Sequence, residues 1–310
     1  MKLIPAFLLA GAALLLSPLA VDRAAAQAPS AVEKMNAYIG CINRLSARSF
    51  QSRARYFDWA AKSGPTGKER IIYGTYTIYD TADCVKNVEK ANALEPRDAG
   101  IEAAATAYAK AVSKLAPILK EADDYYTQEN YKDDKMAKGK ALHPLLVSAW
   151  NEFESADQKL RAQVDAFNDK ASFAKLAEIE QKEGKKTRYY VEATMMDAKR
   201  VLRTENADKP DADTIGKAVA ALEASIKGAE EASGAEGNTK IGSLFMSNAK
   251  SYLTTAKQLM RRIRDKTPYS SGDRMMLSQN GAGWMVEGSP PRLSRDYNQL
   301  IDAYNRGANI

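Results

Sequence analysis

The stretch that decides the fold is IEAAATAYAKAVSKLAPILKEADDYY, residues 101–126. Its apolar residues alternate at steps of four and three, a spacing that places them on one face of an α-helix. That face consists of Ile101, Ala105, Tyr108, Val112, Leu115, Leu119, Ala122 and Tyr126. A half-buried strand would alternate at every second residue instead. The stretch therefore predicts a long helix packed along a coiled-coil-like seam.

The same period recurs along most of the chain. Working outward from the first stretch, comparable seams occupy residues 142–167, 191–202, 215–226, 245–263 and 293–304. Helix-start residues agree with them, because Asp98 precedes the first seam and Pro210-Asp211 precedes the fourth. Together these patterns predict the all-α class, as an elongated bundle of long antiparallel helices with coiled-coil-like seams.

Two segments do not follow the helical period. Ile71 to Asp80 carries three tyrosines around Gly74 and is expected to be extended for a few residues. Thr267 to Pro291 is rich in glycine and proline, yet it also holds Trp284 and several methionines. Long connections of this kind are uncommon in compact domains. We expect this one to pack across the helix ends, in either a functional or a purely structural role.

The first residues have the pattern of a Sec-type signal peptide. Lys2 is followed by an apolar run from Leu3 to about Val21 and then by small residues, which predicts cleavage after Ala26. An uncleaved membrane anchor is the alternative. We therefore assign residues 1–26 to a signal peptide and residues 27–310 to a single helical domain. With no lipidation cysteine and no second long apolar run, the mature chain is expected in the periplasm or secreted, without a membrane span.

The chain has two cysteines, Cys41 and Cys84. In an oxidising compartment such a pair is expected to form one structural disulfide. It would join the first helix to the segment that follows the tyrosines of residues 71–80. The spacing matches neither a metal site nor a Cys-x-x-Cys redox motif.

The charge balance is modest. The formal net charge is +6, and removal of residues 1–26 leaves 43 basic and 38 acidic residues, a net charge of +5. A nucleic-acid-binding chain would concentrate far more positive charge, so no nucleic-acid partner is expected.

The motifs of common enzymes are missing from the sequence. His143 is the sole histidine, and no Gly-x-Ser-x-Gly elbow, phosphate-binding glycine loop or EF-hand loop occurs. We therefore expect no catalytic residues, no metal and no cofactor. Carboxylates alone can hydrolyse glycosides, but with so many present, pairs on facing helices arise by chance.

The densest polar and aromatic patch is a candidate binding surface, which we call the tyrosine-rich tip. Tyrosine combines a rigid apolar face with a polar end, and neighbouring lysines and aspartates add specificity. The candidate residues are Tyr125, Tyr126, Tyr131, Asp133, Asp134, Lys138 and His143. The alternative is a helix end, a turn and the next helix cap, with tyrosines that cover the end of the bundle.

Three segments together resemble the YiiG-like family of bacterial envelope proteins, which are built on a domain of unknown function. These segments are residues 125–143, residues 64–69 and the closing stretch 297–305. The resemblance spans nearly the whole mature chain. It implies an exported helical fold and no reaction, so it transfers no catalytic residue.

Two hypotheses for function follow. The first is a non-catalytic binding or structural bundle whose partner is an envelope protein or a cell-wall component. The second is a small-ligand binder, or a carboxylate-dependent hydrolase, that uses the tyrosine-rich tip or the 267–291 segment. A deep pocket lined by converging polar groups would favour the second.

The asparagines suggest how the chain closes. Asn36 and Asn43 are seven residues apart, as are Asn298 and Asn305. A buried asparagine beside an apolar seam fixes the register of two helices. This predicts that the C-terminal helix packs along the first helix, unless the asparagines are exposed and their spacing is accidental.

Overall fold

The computed structural model describes residues 29–205, 210–237, 242–279 and 281–307. The predicted signal peptide, residues 1–26, lies outside these ranges. Within them the chain forms nine α-helices: α1 Pro29–Phe57, α2 Thr81–Asn92, α3 Ala99–Thr127, α4 Ala137–Glu183, α5 Thr187–Glu205, α6 Ala212–Ala235, α7 Ser243–Arg264, α8 Ser271–Ser278 and α9 Pro290–Gly307. The β-pairing found there is an isolated bridge between Ala61 and Gly64. The all-α class is therefore confirmed.

A first hydrophobic cluster joins α1, α2, α3 and the first half of α4. The decisive seam of α3 is buried in it along its whole length. Cys41 and Cys84 form the predicted disulfide between α1 and α2, with their Cα atoms 5.3 Å apart. The Asp98 side chain caps α3 as expected, because it accepts hydrogen bonds from the first backbone amides of that helix.

A buried polar network fixes how α1, α3 and α4 meet. The Ser46 hydroxyl donates to Asp157 Oδ1 at 2.5 Å and lies 2.9 Å from the Tyr108 hydroxyl. Arg161 Nε donates to the second oxygen of Asp157 at 2.8 Å. A slipped helix pairing would leave the buried hydroxyls of Ser46 and Tyr108 without partners, at a cost of about 1–3 kcal/mol each. This network therefore sets the register in which α1, α3 and α4 pack against one another.

A second hydrophobic cluster joins α5, α6, α7 and α9. Helix α4 links the two clusters, since its 47 residues extend for about 70 Å and its second half packs against α5. Ion pairs connect the two helices, including Arg203 with Asp169 at 2.5 Å and Lys175 with Glu192 at 2.7 Å.

The assignment of residues 27–310 to a single domain stays a prediction. No helix in the described ranges is long and apolar enough to span a bilayer.

The predicted pairing of the C-terminal helix with the first helix is wrong. Helix α9 packs against α7 and α5, and among the described residues it makes no contact with α1. The four asparagines Asn36, Asn43, Asn298 and Asn305 are all exposed. A buried bond from Thr255 Oγ1 to Asp296 Oδ2, 2.6 Å long, sets the position of α9 on α7. A spacing shared by two helices gives no information on which helix each one faces.

The 267–291 segment is also more ordered than expected. It contains α8, which begins with a capping box between Ser270 and Asp273, and the 3₁₀ helix Gly283–Met285. The Ser-x-x-Asp pattern was readable in the sequence.

Gly228 in α6 is expected to be intolerant of even a methyl group. A Cβ at this position would lie 2.3–2.9 Å from the ring of Tyr190 in α5. Gly228→Ala should therefore destabilise the second cluster by about 1–3 kcal/mol, because the ring must leave its place. Gly216→Ala in the same helix, where no atom lies within 4 Å, should instead stabilise it by about 0.5–1 kcal/mol. Urea unfolding of both variants measures the difference, and two equal shifts would contradict the close packing of α5 on α6.

Candidate functional site

The tyrosine-rich tip lies where α3 ends and α4 begins. Two of its tyrosines, Tyr125 and Tyr126, are buried. Their rings meet edge to face with centroids 5.0 Å apart, and the Tyr125 hydroxyl donates to Asp134 Oδ1 at 2.8 Å. The aromatic faces that a ligand would need are therefore occupied inside the protein.

Asp134 caps α4 from outside the helix. Its Oδ2 accepts a hydrogen bond from the Lys138 backbone amide at 2.9 Å. That bond, with others from the backbone and from Tyr125, holds the pKa of Asp134 below its usual value although desolvation opposes it. The helix itself starts later than its cap, at Ala137, after Met136 in the left-handed region with φ 69°. The role of Asp134 is thus to begin α4.

His143 fastens the loop after α1 to α4. Its Nε2 lies 3.2 Å from the Lys62 carbonyl oxygen, so Nε2 carries the proton, and its Nδ1 accepts from the Tyr56 hydroxyl at 3.0 Å. Burial is the main cause that raises the pKa of Tyr56 to about 12, so its hydroxyl remains a donor at neutral pH. Gly64, with φ 107°, comes so close that a Cβ would lie 3.2 Å from the His143 ring. Both ring nitrogens of this histidine have structural partners.

The remaining tip residues face solvent. Asp133 and Lys138 are exposed and Tyr131 is half-buried, while Lys138 Nζ pairs with Glu121 at 2.9 Å. The structure thus brings the seven predicted residues together, but it buries Tyr125 and Tyr126 and engages the half-buried Asp134 in capping α4. Binding at the tip stays a prediction.

The turn at residues 64–69 explains one of the motifs that carried the family resemblance. Glu69 accepts hydrogen bonds from the backbone amides of Thr66 and Gly67, at 2.5 and 2.8 Å. Desolvation raises the pKa of Glu69, but these bonds and the Thr66 hydroxyl outweigh it, and the net shift is downward. Gly67, with φ 86°, lets the turn approach Met136, since a Cβ there would lie 3.2 Å from that of Met136. The motif holds the loop against the start of α4.

Sequence reasoning missed two residues of this region, Tyr56 and Trp59. Trp59 Nε1 donates to the Gly74 carbonyl at 3.0 Å, and its ring lies 5.0 Å from that of Tyr126. They join Tyr126 and His143 in one aromatic cluster. The run of aromatics at the end of α1, next to Gly64-Pro65, was the signal that could have found them.

A second place, which we call the α9 groove, lies between α9 and the segment before it. It is an open concavity of about 630 Å³. Its lining residues are Leu277, Gln279, Gly281, Gly283, Trp284, Pro291, Ser294, Arg295, Asn298, Gln299 and Asp302. Sequence reasoning had marked the 267–291 segment as one of two possible ligand sites, but it did not identify the α9 residues.

Hydrogen bonds fix the walls of the α9 groove. Ser289 Oγ donates to the Val286 carbonyl at 2.7 Å, and Arg292 donates to Asp296 at 3.2 Å and to the Trp284 carbonyl at 3.4 Å. Gly288, with φ 59°, allows backbone contact with α7, because a Cβ there would lie 3.2 Å from the backbone of Gln258. The groove is therefore built on the second hydrophobic cluster.

The polar wall of the groove is one face of α9. Asn298, Gln299 and Asp302 are exposed there, and their side chains have no hydrogen-bond partner among the residues that the structure describes. Arg295, on the same helix, stacks its guanidinium on the Trp284 ring, with its carbon 3.7 Å from the ring centroid. With Gln279 included, the lining offers three side-chain amides, one carboxylate, one guanidinium and the ring of Trp284, which suits non-covalent binding of a polar ligand.

No group of three or more metal-binding side chains occurs in the described ranges. The fold and these two places define the class: an all-helical, disulfide-bonded protein that carries an open polar groove. The chain belongs to the family described as "Protein of unknown function (DUF3829)", whose match spans residues 30–306.

The chain is also similar to a protein of Escherichia coli (strain K12), the "Uncharacterized protein YiiG". The two are 42% identical over 277 residues, which cover 88% of this chain and 78% of the relative. No solved structure matches. The resemblance to the YiiG-like family is therefore confirmed, and neither description names a reaction or a ligand.

Proposed function

We propose that this protein is exported and binds a component of the bacterial envelope without catalysing a reaction. The α9 groove carries the proposal, because the Asn298 and Gln299 amides are exposed on α9 and have no hydrogen-bond partner among the residues that the structure describes. Binding sites of this kind combine an apolar wall with a few placed polar groups. The Cys41–Cys84 disulfide supports an oxidising compartment outside the cytoplasm.

The chemistry of the groove favours binding over hydrolysis. Glycoside hydrolysis uses two carboxyl groups about 5–10 Å apart, whereas Asp302 is the single carboxylate among the groove residues given above. Elsewhere, His143 is held by Tyr56 and Lys62. These observations support a non-catalytic role.

Export is tested on the full-length chain expressed in a bacterium. After cell fractionation, we expect mass spectrometry of the recovered protein to show a chain that begins after Ala26. Alkylation without reductant should leave Cys41 and Cys84 unlabelled. A full-length cytoplasmic chain with both cysteines labelled would refute export.

Binding is tested by sedimentation of the mature protein with washed, insoluble envelope material. We expect co-sedimentation that the double substitution Asn298→Ala/Gln299→Ala reduces and that Asn305→Ala, an exposed control in the same helix, leaves unchanged. Chromatography of the envelope material should show no released fragments. If Asp133→Ala/Lys138→Ala abolishes sedimentation instead, the tyrosine-rich tip is the binding site. Released fragments would refute the non-catalytic role.

A further inference from the structure

Two arginines of α1, Arg48 and Arg55, lie over the ring of Tyr76 in the 71–80 segment, and we call these three residues the arginine clamp. The guanidinium carbons are 3.8 and 4.5 Å from the ring centroid, so the two positive charges are at most about 8 Å apart. We propose that the clamp binds a terminal phosphate group, the dianion of a phosphate monoester. This site goes beyond the proposed function, because it shares no residue with the α9 groove.

Hydrogen bonds hold both guanidinium groups in place. Arg48 Nε donates to the Thr77 carbonyl at 3.4 Å. Arg55 Nε donates to the Tyr73 carbonyl at 2.8 Å, and its Nη1 donates to the Tyr76 hydroxyl at 3.0 Å. A ligand therefore has less side-chain freedom to remove when it binds. Three guanidinium nitrogens, two of Arg48 and one of Arg55, keep no hydrogen-bond partner among the described residues.

Neither arginine of the clamp forms an ion pair. Arg53, which lies between them in α1, pairs with Glu154 at 2.5 Å. In contrast, no carboxylate oxygen of the described residues lies within 4 Å of a nitrogen of Arg48 or Arg55. Arg48 is exposed and Arg55 is half-buried. The clamp thus presents two positioned positive charges, neither of them compensated by a carboxylate, at the protein surface.

Acids on neighbouring segments are engaged with other groups. Asp80 and Asp83 approach Arg44, at 3.8 and 3.9 Å. The Asp123 carboxylate accepts a hydrogen bond from the Thr77 hydroxyl at 3.1 Å. An anion that reaches the clamp therefore does not have to displace a carboxylate of this chain from either arginine.

The charge and the free donors of the clamp select a phosphate monoester. Such a group carries nearly two negative charges at neutral pH and has three strong acceptor oxygens. It can neutralise both arginines, whereas a carboxylate or a phosphodiester carries one negative charge and leaves one arginine uncompensated. Guanidinium groups donate to phosphate oxygens in pairs. Since the two guanidinium carbons are at most about 8 Å apart, one phosphate group can accept hydrogen bonds from both.

The test uses the folded mature chain and glycerol 3-phosphate as the probe, at constant ionic strength. The arginine Nε–H signals in ¹⁵N NMR spectra are assigned by single Arg→Lys substitutions. We expect saturable shifts of the Arg48 and Arg55 signals, while those of Arg261 and Arg306, which are exposed on α7 and α9, stay in place. Dimethyl phosphate and acetate, both monoanions, should bind more weakly by about tenfold or more. Equal affinity for dimethyl phosphate would overturn the assignment to a monoester.

Two double variants separate the clamp from general charge attraction. Arg48→Gln/Arg55→Gln should weaken the binding of glycerol 3-phosphate by about tenfold or more. Arg261→Gln/Arg306→Gln removes the same charge elsewhere and should leave the affinity unchanged. A folded clamp variant with wild-type affinity would overturn the inference. Absence of saturable shifts in the wild-type protein would overturn it as well, and this result does not depend on whether the clamp variant folds.

Vesicles distinguish a lipid headgroup from a soluble ester. Phosphatidic acid carries a phosphate monoester, and we compare phosphatidylcholine vesicles with and without it. Sedimentation that requires both phosphatidic acid and the two arginines of the clamp would assign the site to a lipid headgroup. Saturable binding of glycerol 3-phosphate alone would assign it to a soluble ester, and loss of both would overturn the inference. The envelope sedimentation of Asn298→Ala/Gln299→Ala tests the α9 groove separately, so either proposal can fail without the other.

Discussion

At about pH 9, Glu205→Gln is expected to be more stable than the wild-type protein by several kcal/mol. Glu205 ends α5 and is 2% exposed, and neither of its carboxyl oxygens has a partner among the described residues. Burial raises the pKa of Glu205 from 4.5 to about 8. At alkaline pH the folded protein must therefore hold an unpaired buried charge, which glutamine avoids.

The sign of the pH dependence follows from proton linkage. The folded state holds the Glu205 proton more tightly than the unfolded state does. The contribution of this protonated carboxyl to the free energy of unfolding is therefore complete below about pH 4.5 and is lost as the pH rises to about 8. Across this pH range the free energy of unfolding of the wild type should fall by about 5 kcal/mol at most through Glu205. The variant should lose this dependence and should match the wild type near pH 5, where both side chains are neutral.

Urea unfolding at a series of pH values measures the effect. Asp197, another buried acid with a raised pKa caused mainly by burial, titrates in the same direction in both proteins and cancels in the comparison. Tyr252 on α7 is the neighbouring titratable group, and burial keeps its hydroxyl protonated. Glu231→Gln, at an exposed position, is the matched control and should change little. Parallel pH profiles for wild type and Glu205→Gln would show that Glu205 is not buried as a neutral acid.

Loss of the disulfide is expected to destabilise the first hydrophobic cluster by about 4 kcal/mol. The bond spans a sequence separation of 43 residues, and closing a loop of that size restricts the unfolded chain by about this amount in the chain-entropy model. We expect the same loss of stability in the double variant Cys41→Ala/Cys84→Ala and in the wild-type protein after reduction. Reductant should have no effect on the double variant, which serves as the control.

Hydrogen exchange locates where this stability is lost. Amides of α1 and α2 should exchange faster in the double variant, because the bond joins these two helices. Amides of α6 and α7 belong to the second cluster and should change little. Equal acceleration in all four helices would mean that the two clusters unfold as one unit.

The candidate sites were less predictable than the fold. Tyr125 and Tyr126 have the composition of a binding surface, yet both are buried: the Tyr125 hydroxyl donates to Asp134, and the two rings pack on each other and on further aromatic side chains. The α9 groove needs Trp284 and Asn298 on facing walls, and these residues come together only when α9 docks on α7. Residue type does not reveal which way a side chain turns at the end of a helix.

The sequence by itself determined the helices, because a seam of apolar residues with a period near 3.6 is a local property of each segment. It also determined the Cys41–Cys84 bond, since only two cysteines were present. Only the tertiary structure decided which helices pack together: α9 lies on α7 and α5 rather than on α1. Every apolar seam is compatible with every other, and the choice depends on buried polar contacts such as Thr255 with Asp296 and Ser46 with Asp157. Such contacts join residues far apart in the chain, so no local pattern records them.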